Sequence, residues 1–121
     1  MVRSLVDCGG QALADEIVSL WALSGTPALQ DGHYPGWAPN PDSPLLKTCQ
    51  AVYRRDFGTE SKVQVIHAGL ECGIIGAKYP GMDIVSFGPT IRGAHAPGER
   101  VEIASVERCW RLLTAILAEL R

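Results

Sequence analysis

The residues best placed to do chemistry lie in the stretch Ser86-Phe87-Gly88-Pro89-Thr90-Ile91-Arg92-Gly93-Ala94-His95. The apolar pair Ile84 and Val85 feeds this loop, two glycines and a proline punctuate it, and it ends on a histidine. A scaffold fixes a loop at a strand end while its side chains stay accessible, so such loops carry function. His95 therefore reads either as a metal ligand through neutral imidazole or as an ordinary surface histidine. One imidazole does not make a metal centre, because catalytic zinc normally takes three protein ligands.

A second stretch is His67-Ala68-Gly69-Leu70-Glu71-Cys72-Gly73. Gly69 permits close approach of the backbone to a ligand. Glu71 stands where a helix N-terminus favours a carboxylate. His67 and Glu71 read either as two metal ligands or as a packed histidine and a capping carboxylate. A third candidate is Arg3, inside an otherwise apolar strand. It reads either as a solvent-facing residue or as a bidentate clamp for a carboxylate. The sequence holds no GxSxG, P-loop, GxGxxG or HExxH pattern, which leaves serine-hydrolase, nucleotide-binding and zincin chemistry without support.

The elements that must position these residues follow from pattern and punctuation. Val2 to Val6 reads as a strand, and Asp7 as the cap of the helix after it. Leu13, Ile17, Leu20 and Trp21 form an apolar stripe at helical spacing that ends at Ser24-Gly25. Thr26 to Gln30 reads as a second strand. Asp31 to Asp42 is irregular, with Tyr34-Pro35-Gly36-Trp37 as a turn carrying aromatic anchors. Ser43-Pro44 opens a helix and Gly58 stops it, with Leu45, Leu46, Cys49, Val52, Tyr53 and Phe57 on one face. Lys62 to Ile66 is a β-branched strand. A glycine-rich helical piece ends near Tyr79-Pro80-Gly81, and Met82 to Phe87 is another strand. The loop from Gly88 to Glu102 follows. Ser105 to Leu120 carries the clearest helical period, with Val106, Cys109, Trp110, Leu113, Ile116, Leu117 and Leu120. Trp21 and Trp110 are expected in a core. Alternating strands and helices argue an α/β class, and the proline-rich crossing argues two structural units.

Bulk properties agree with one soluble globular piece. The 121 residues are 46% hydrophobic and 20% charged, ordinary values for that class. A net charge of -2 leaves no electrostatic footprint for nucleic acid or an anionic membrane. No apolar run approaches a bilayer span and no signal-peptide core is present, so a cytoplasmic location is expected. Four scattered cysteines without a CxxC pair are expected to be buried free thiols rather than disulfides or zinc-finger ligands.

Three strings carry a family likeness: Val65-Ile66-His67-Ala68-Gly69-Leu70-Glu71-Cys72-Gly73, Asp83-Ile84-Val85-Ser86-Phe87-Gly88-Pro89-Thr90-Ile91 and Val101-Glu102-Ile103-Ala104-Ser105-Val106-Glu107. They resemble the C-terminal part of bacterial aminoacyl-histidine dipeptidases, also called cytosol non-specific or carnosinase-like dipeptidases. Met1 to Asp7 and Tyr34-Pro35-Gly36-Trp37 fit the same family. The resemblance covers nearly all of this chain but only about the last quarter of such an enzyme. It implies a two-zinc catalytic α/β domain, a mixed sheet flanked by helices, interrupted by a smaller α+β lid that commonly mediates dimerisation. Residues 1–31 would be a strand-helix-strand end of the lid, and residues 32–121 the returning half of the catalytic domain.

The same resemblance assigns roles. His95 matches the family's C-terminal zinc ligand, Arg3 a lid arginine for the substrate carboxylate, and Gly69 a backbone contact to substrate. His67 and Glu71 belong to the same pocket motif. The family hydrolyses dipeptides, including Xaa-His substrates such as β-alanyl-histidine. Two zincs activate a water, and a glutamate general base takes its proton. That base and the other ligands precede the lid in the family, so this chain alone is expected to be inactive and to need the missing N-terminal half. After the zinc histidine the family often has Ser-Pro-Asp-Glu, whereas this chain has Ala96-Pro97-Gly98-Glu99. Loss of supporting groups beside a ligand lowers metal affinity by roughly 10- to 100-fold. The alternative is a non-catalytic α/β binding or assembly module. Either way an exposed apolar face is expected to drive self-association or homo-oligomer formation.

Overall fold

The computed structural model describes residues 2, 4, 6–66 and 71–120. In chain order the elements are α1 (Asp7–Leu23), α2 (Pro44–Phe57), α3 (Glu71–Lys78), β1 (Ile91–Arg92), β2 (Arg100–Val101) and α4 (Ile103–Glu119). They group into two compact units, Met1–Asn40 with Gln64–Met82 and Pro41–Val63 with Asp83–Arg121.

In the first unit α1 starts one residue earlier than a capping role for Asp7 requires. Val6 is the N-cap, in extended conformation, and makes no side-chain cap. The Asp7 carboxylate instead accepts a hydrogen bond from the Gly36 amide, which ties the Tyr34–Trp37 turn to the start of α1. At the other end the Ser24 hydroxyl donates to the Trp21 carbonyl at 2.7 Å, and Gly25 takes φ 73°. That stop matches the sequence expectation. The same turn meets α3: a Cβ on Gly73 would lie 2.5 Å from the Pro35 carbonyl oxygen. Only a glycine permits this approach of helix to backbone.

The second unit is built on α2 and α4. Ser43 accepts from the Leu46 amide at 2.9 Å and caps α2, Pro44 occupies its first position, and Gly58 closes it in the left-handed region. Cys49, Val52 and Ile116 form the buried cluster, with Leu45, Val85, Leu112 and Ala115 packed against it. Val52 is 2% exposed and Ile116 4%, and each such side chain contributes about 1.5–3 kcal/mol on burial. At the far end of the helix pair Arg55 reaches Glu119 at 2.9 Å, and the Arg111 guanidinium lies 5.6 Å from the Phe57 ring centre.

Several expectations need correction. Residues 26–30, 62–66 and 82–87 were expected as strands, yet among the described residues the only ladder is β1 with β2. It is antiparallel, with Ile91 opposite Val101 and Arg92 opposite Arg100. A β-branched run becomes a strand only when a neighbour accepts its backbone hydrogen bonds. Val63, Val65 and Ile66 remain exposed. The expected strand over 2–6 lies largely outside the described residues. Trp21 and Trp110 are not core: they are 53% and 64% exposed. Helical spacing gives an apolar stripe, but the stripe is buried only where another element covers it. All four cysteines are free, but only Cys49 is buried, Cys8 being exposed. Burial, and then the nearby Asp83 charge, push the Cys49 thiol upward.

Candidate functional site

His95 sits in the connection between β1 and β2. Two successive turns shape it: the Ala96 amide donates to the Gly93 carbonyl and the Glu99 amide to the Ala96 carbonyl, both at 3.1 Å. Gly93 and Gly98 take φ 65° and 85°, and among the described residues His95 is the one non-glycine residue with positive φ, 62°. A left-handed backbone costs an L-residue about 1–2 kcal/mol. The His95 amide donates to Glu99 Oε2 at 2.7 Å, a charge-assisted bond that offsets part of this strain. The histidine is exposed, so its imidazole is accessible.

The base of this hairpin is fixed to α4. The Glu102 amide donates to the Thr90 carbonyl at 2.9 Å. Ser105, buried in the first turn of α4, accepts from the Thr90 amide at 2.8 Å. It also donates to the Glu102 carbonyl at 2.6 Å. Beside the ladder Arg92 faces Glu102 at 3.5 Å. The order of support runs from the α2–α4 core, through Ser105, to the hairpin, and so to His95.

Asp83 anchors the segment leading into the hairpin. Its carboxylate accepts from the Leu45 amide at 2.9 Å. Hydrogen bonds from the Ser43 hydroxyl first, and then from the Leu45 and Ile84 amides, hold its carboxyl below the usual aspartate range. The N-terminus of α2 therefore has two acceptors, Ser43 and Asp83, where the sequence reading found one. Asp83 and Ser105 were not singled out because their partners lie 38 and 15 residues away. Glu99 had a local signal, a carboxylate four residues beyond the histidine across a Pro-Gly turn.

The remaining candidates divide simply. Arg3, His67 and Gly69 lie outside the described residues. Glu71 is exposed and opens α3, in the first unit, whereas His95 belongs to the second. Among the described residues no group of three His, Cys, Asp or Glu side chains comes together to hold a metal. Among the described candidates, the accessible imidazole of His95 is a side chain of the type that ligates a metal.

Residues 25–119 match the family described as peptidase family M20/M25/M40. The chain belongs to that family. The cytosol non-specific dipeptidase of Escherichia coli K12 is 44% identical over 120 residues, which cover 99% of this chain and 25% of that protein. A crystal structure of aminoacylhistidine dipeptidase from Vibrio alginolyticus superposes with a TM-score of 0.74 at 40% identity, over 96% of this chain and 24% of the other. The α/β fold is thus that of an aminoacylhistidine dipeptidase over this segment, seen here as a helix-rich piece with a two-stranded ladder. The M20 chain spans about a quarter of the length of these relatives. No helix among its described residues is long and apolar enough to cross a membrane.

Proposed function

We propose that this chain is the C-terminal segment of a cytoplasmic zinc dipeptidase of broad specificity that accepts Xaa-His substrates such as β-alanyl-histidine. Residues 1–31 belong to its lid and residues 32–121 to its catalytic domain. The observation that carries the reading is the accessible imidazole of His95, held on a hairpin that Ser105 clamps to α4, in a chain of this family.

His95 would give one ligand to the metal pair. When bound, that pair would lower the pKa of a water and polarise the scissile carbonyl. The chain's other work is positional. Ser105 and Glu99 hold the histidine. Arg3, from the lid, pairs with the substrate carboxylate through its planar guanidinium. Gly69 offers backbone to the substrate, and His67 and Glu71 complete the same pocket. The general base and the other ligands come from the part of the enzyme that precedes the lid. The isolated chain is therefore inactive, and the working enzyme is a homo-oligomer.

The test is a zinc-supplemented assay with β-alanyl-histidine. The isolated chain gives no turnover, and one polypeptide joining it to the preceding part of the enzyme does. In that polypeptide His95→Ala abolishes turnover and Arg3→Ala raises KM or lowers kcat/KM. Turnover by the isolated chain, or full activity of His95→Ala, contradicts the reading. The exposed apolar residues of α1 and α4 favour a second reading, a non-catalytic assembly module. It requires self-association and an upstream coding sequence without the remaining metal ligands.

A further inference from the structure

We propose that Glu99 is a positioning residue for His95, and that it acts on the backbone rather than on the imidazole. This rests on the reading of His95 as a metal ligand. Three observations carry it. His95 alone among the described non-glycine residues adopts a left-handed backbone. The one side chain bonded to its amide is the Glu99 carboxylate, at 2.7 Å. Glu99 is itself fixed from behind, because its amide donates to the Ala96 carbonyl and the next residue, Arg100, opens β2.

The geometry gives this bond a direction. Rotation about φ swings Cβ around the N–Cα bond relative to the preceding peptide, so a left-handed φ gives a side-chain direction that a negative φ would change. The φ of His95 therefore decides where its imidazole points. A backbone strained in this way persists only where its surroundings over-determine it. Here two glycine turns shape the connection, and the carboxylate captures the amide that the turn leaves outward. Without the carboxylate, the histidine is free to relax to negative φ and carry its ring away. The length of Glu99 matters as well as its charge, since the acceptor spans from position 99 back to the amide of position 95. The other charged side chains of the hairpin have partners of their own: Arg92 pairs with Glu102 and Arg100 donates to the Gly98 carbonyl. Neither arginine is thus engaged with Glu99 in place of the amide.

The experiment has two arms. In the 121-residue chain, NMR follows the His95 amide. Glu99→Ala is expected to move it upfield, speed its hydrogen exchange by roughly tenfold, and shift its Hα–amide coupling away from the left-handed value. Glu99→Gln, which keeps an acceptor oxygen at the same reach, retains the coupling. In the full-length enzyme, zinc affinity is measured by competition with a chromophoric chelator. Glu99→Ala is expected to weaken zinc by about 10- to 100-fold, with Glu99→Gln restoring most of the loss. An unmoved His95 amide in Glu99→Ala overturns the proposal, and so does weakened zinc binding without any amide change, which would make Glu99 a direct ligand. If the amide arm succeeds but His95→Ala leaves zinc affinity intact, the ligand reading is what fails. If the amide arm succeeds and Glu99→Ala binds zinc as tightly as the parent, the positioning proposal fails alone.

Discussion

The two units of this chain treat similar helical patterns differently. In Pro41–Val63 with Asp83–Arg121, the apolar faces of α2 and α4 meet, and Cys49, Val52 and Ile116 are buried between them. In Met1–Asn40 with Gln64–Met82, Leu13, Ile17, Leu20 and Trp21 stand on α1 at equally good spacing, yet none of the residues of α1 is buried. In that unit only Gly73 is buried among the described residues, against a backbone carbonyl rather than a side chain. An amphipathic pattern specifies a helix and a direction, whereas a core needs a second surface to receive it. His95 hangs from the unit that has such a core. A ligand must be held by a supporting shell if its geometry is to be reproducible; for the role proposed for His95 that support traces back to Ile116 and Val52.

The sharpest way to break this contrast is a matched pair of truncations. Ile116→Ala is expected to lower stability by about 2–5 kcal/mol, because it opens a cavity in the α2–α4 cluster. Ile17→Ala on α1 is expected to stay within about 0.5 kcal/mol, as surface substitutions do. Urea midpoints of the two variants decide the matter, and equal losses would show that α1 is covered in solution.

A smaller effect is expected at the joint between core and hairpin. Ser105→Ala leaves the Thr90 amide without its side-chain acceptor, and because Thr90 is exposed and water can replace it, the loss is about 0.5–1.5 kcal/mol. The loss should appear as faster hydrogen exchange at Thr90 and across β1 and β2, with the α2 amides unaffected. Uniform acceleration through the whole unit would mean that Ser105 supports the core and not the hairpin.

The smallest effect is electrostatic. The Asp83 carboxyl is held below its ordinary value of 3.8 by the hydrogen bonds it accepts. A lowered folded-state pKa contributes stability that is present above the unfolded value and lost as the pH falls through the folded one. Thermal unfolding should therefore show a modest deficit for Asp83→Asn at neutral pH that fades in acid below about 3.8. A deficit that persists unchanged in acid would assign the effect to packing.

Much of this architecture was legible from local chemistry. Ser43-Pro44 and Gly58 bound α2, Ser24-Gly25 end α1, and the period from Val106 to Leu120 lies within α4 and its C-cap. Each of these signals acts within one turn of the residue that carries it. Loop placement of His95 was legible for the same reason, from Gly88, Pro89 and Gly93. What escaped depends on partners distant in sequence. The β-branched runs over 62–66 and 82–87 carried half of a strand's requirement, and the described residues supply no neighbour for the other half. Trp21 and Trp110 had apolar companions at the right spacing but no covering element among the described residues. Asp83 and Ser105 are short polar residues whose importance comes from the amides they meet, Leu45 and Thr90, and nothing in their own neighbourhood announces those partners.

Under the proposed function, this chain brings a single imidazole to a metal centre completed from elsewhere. Equilibrium dialysis of the isolated 121-residue chain against zinc tests it most directly. A complete structural coordination sphere is worth about 10–16 kcal/mol, so it saturates well below micromolar zinc. No such tight site is expected, only weak binding that His95→Ala diminishes. One equivalent of zinc held at submicromolar concentration by this chain alone would contradict it.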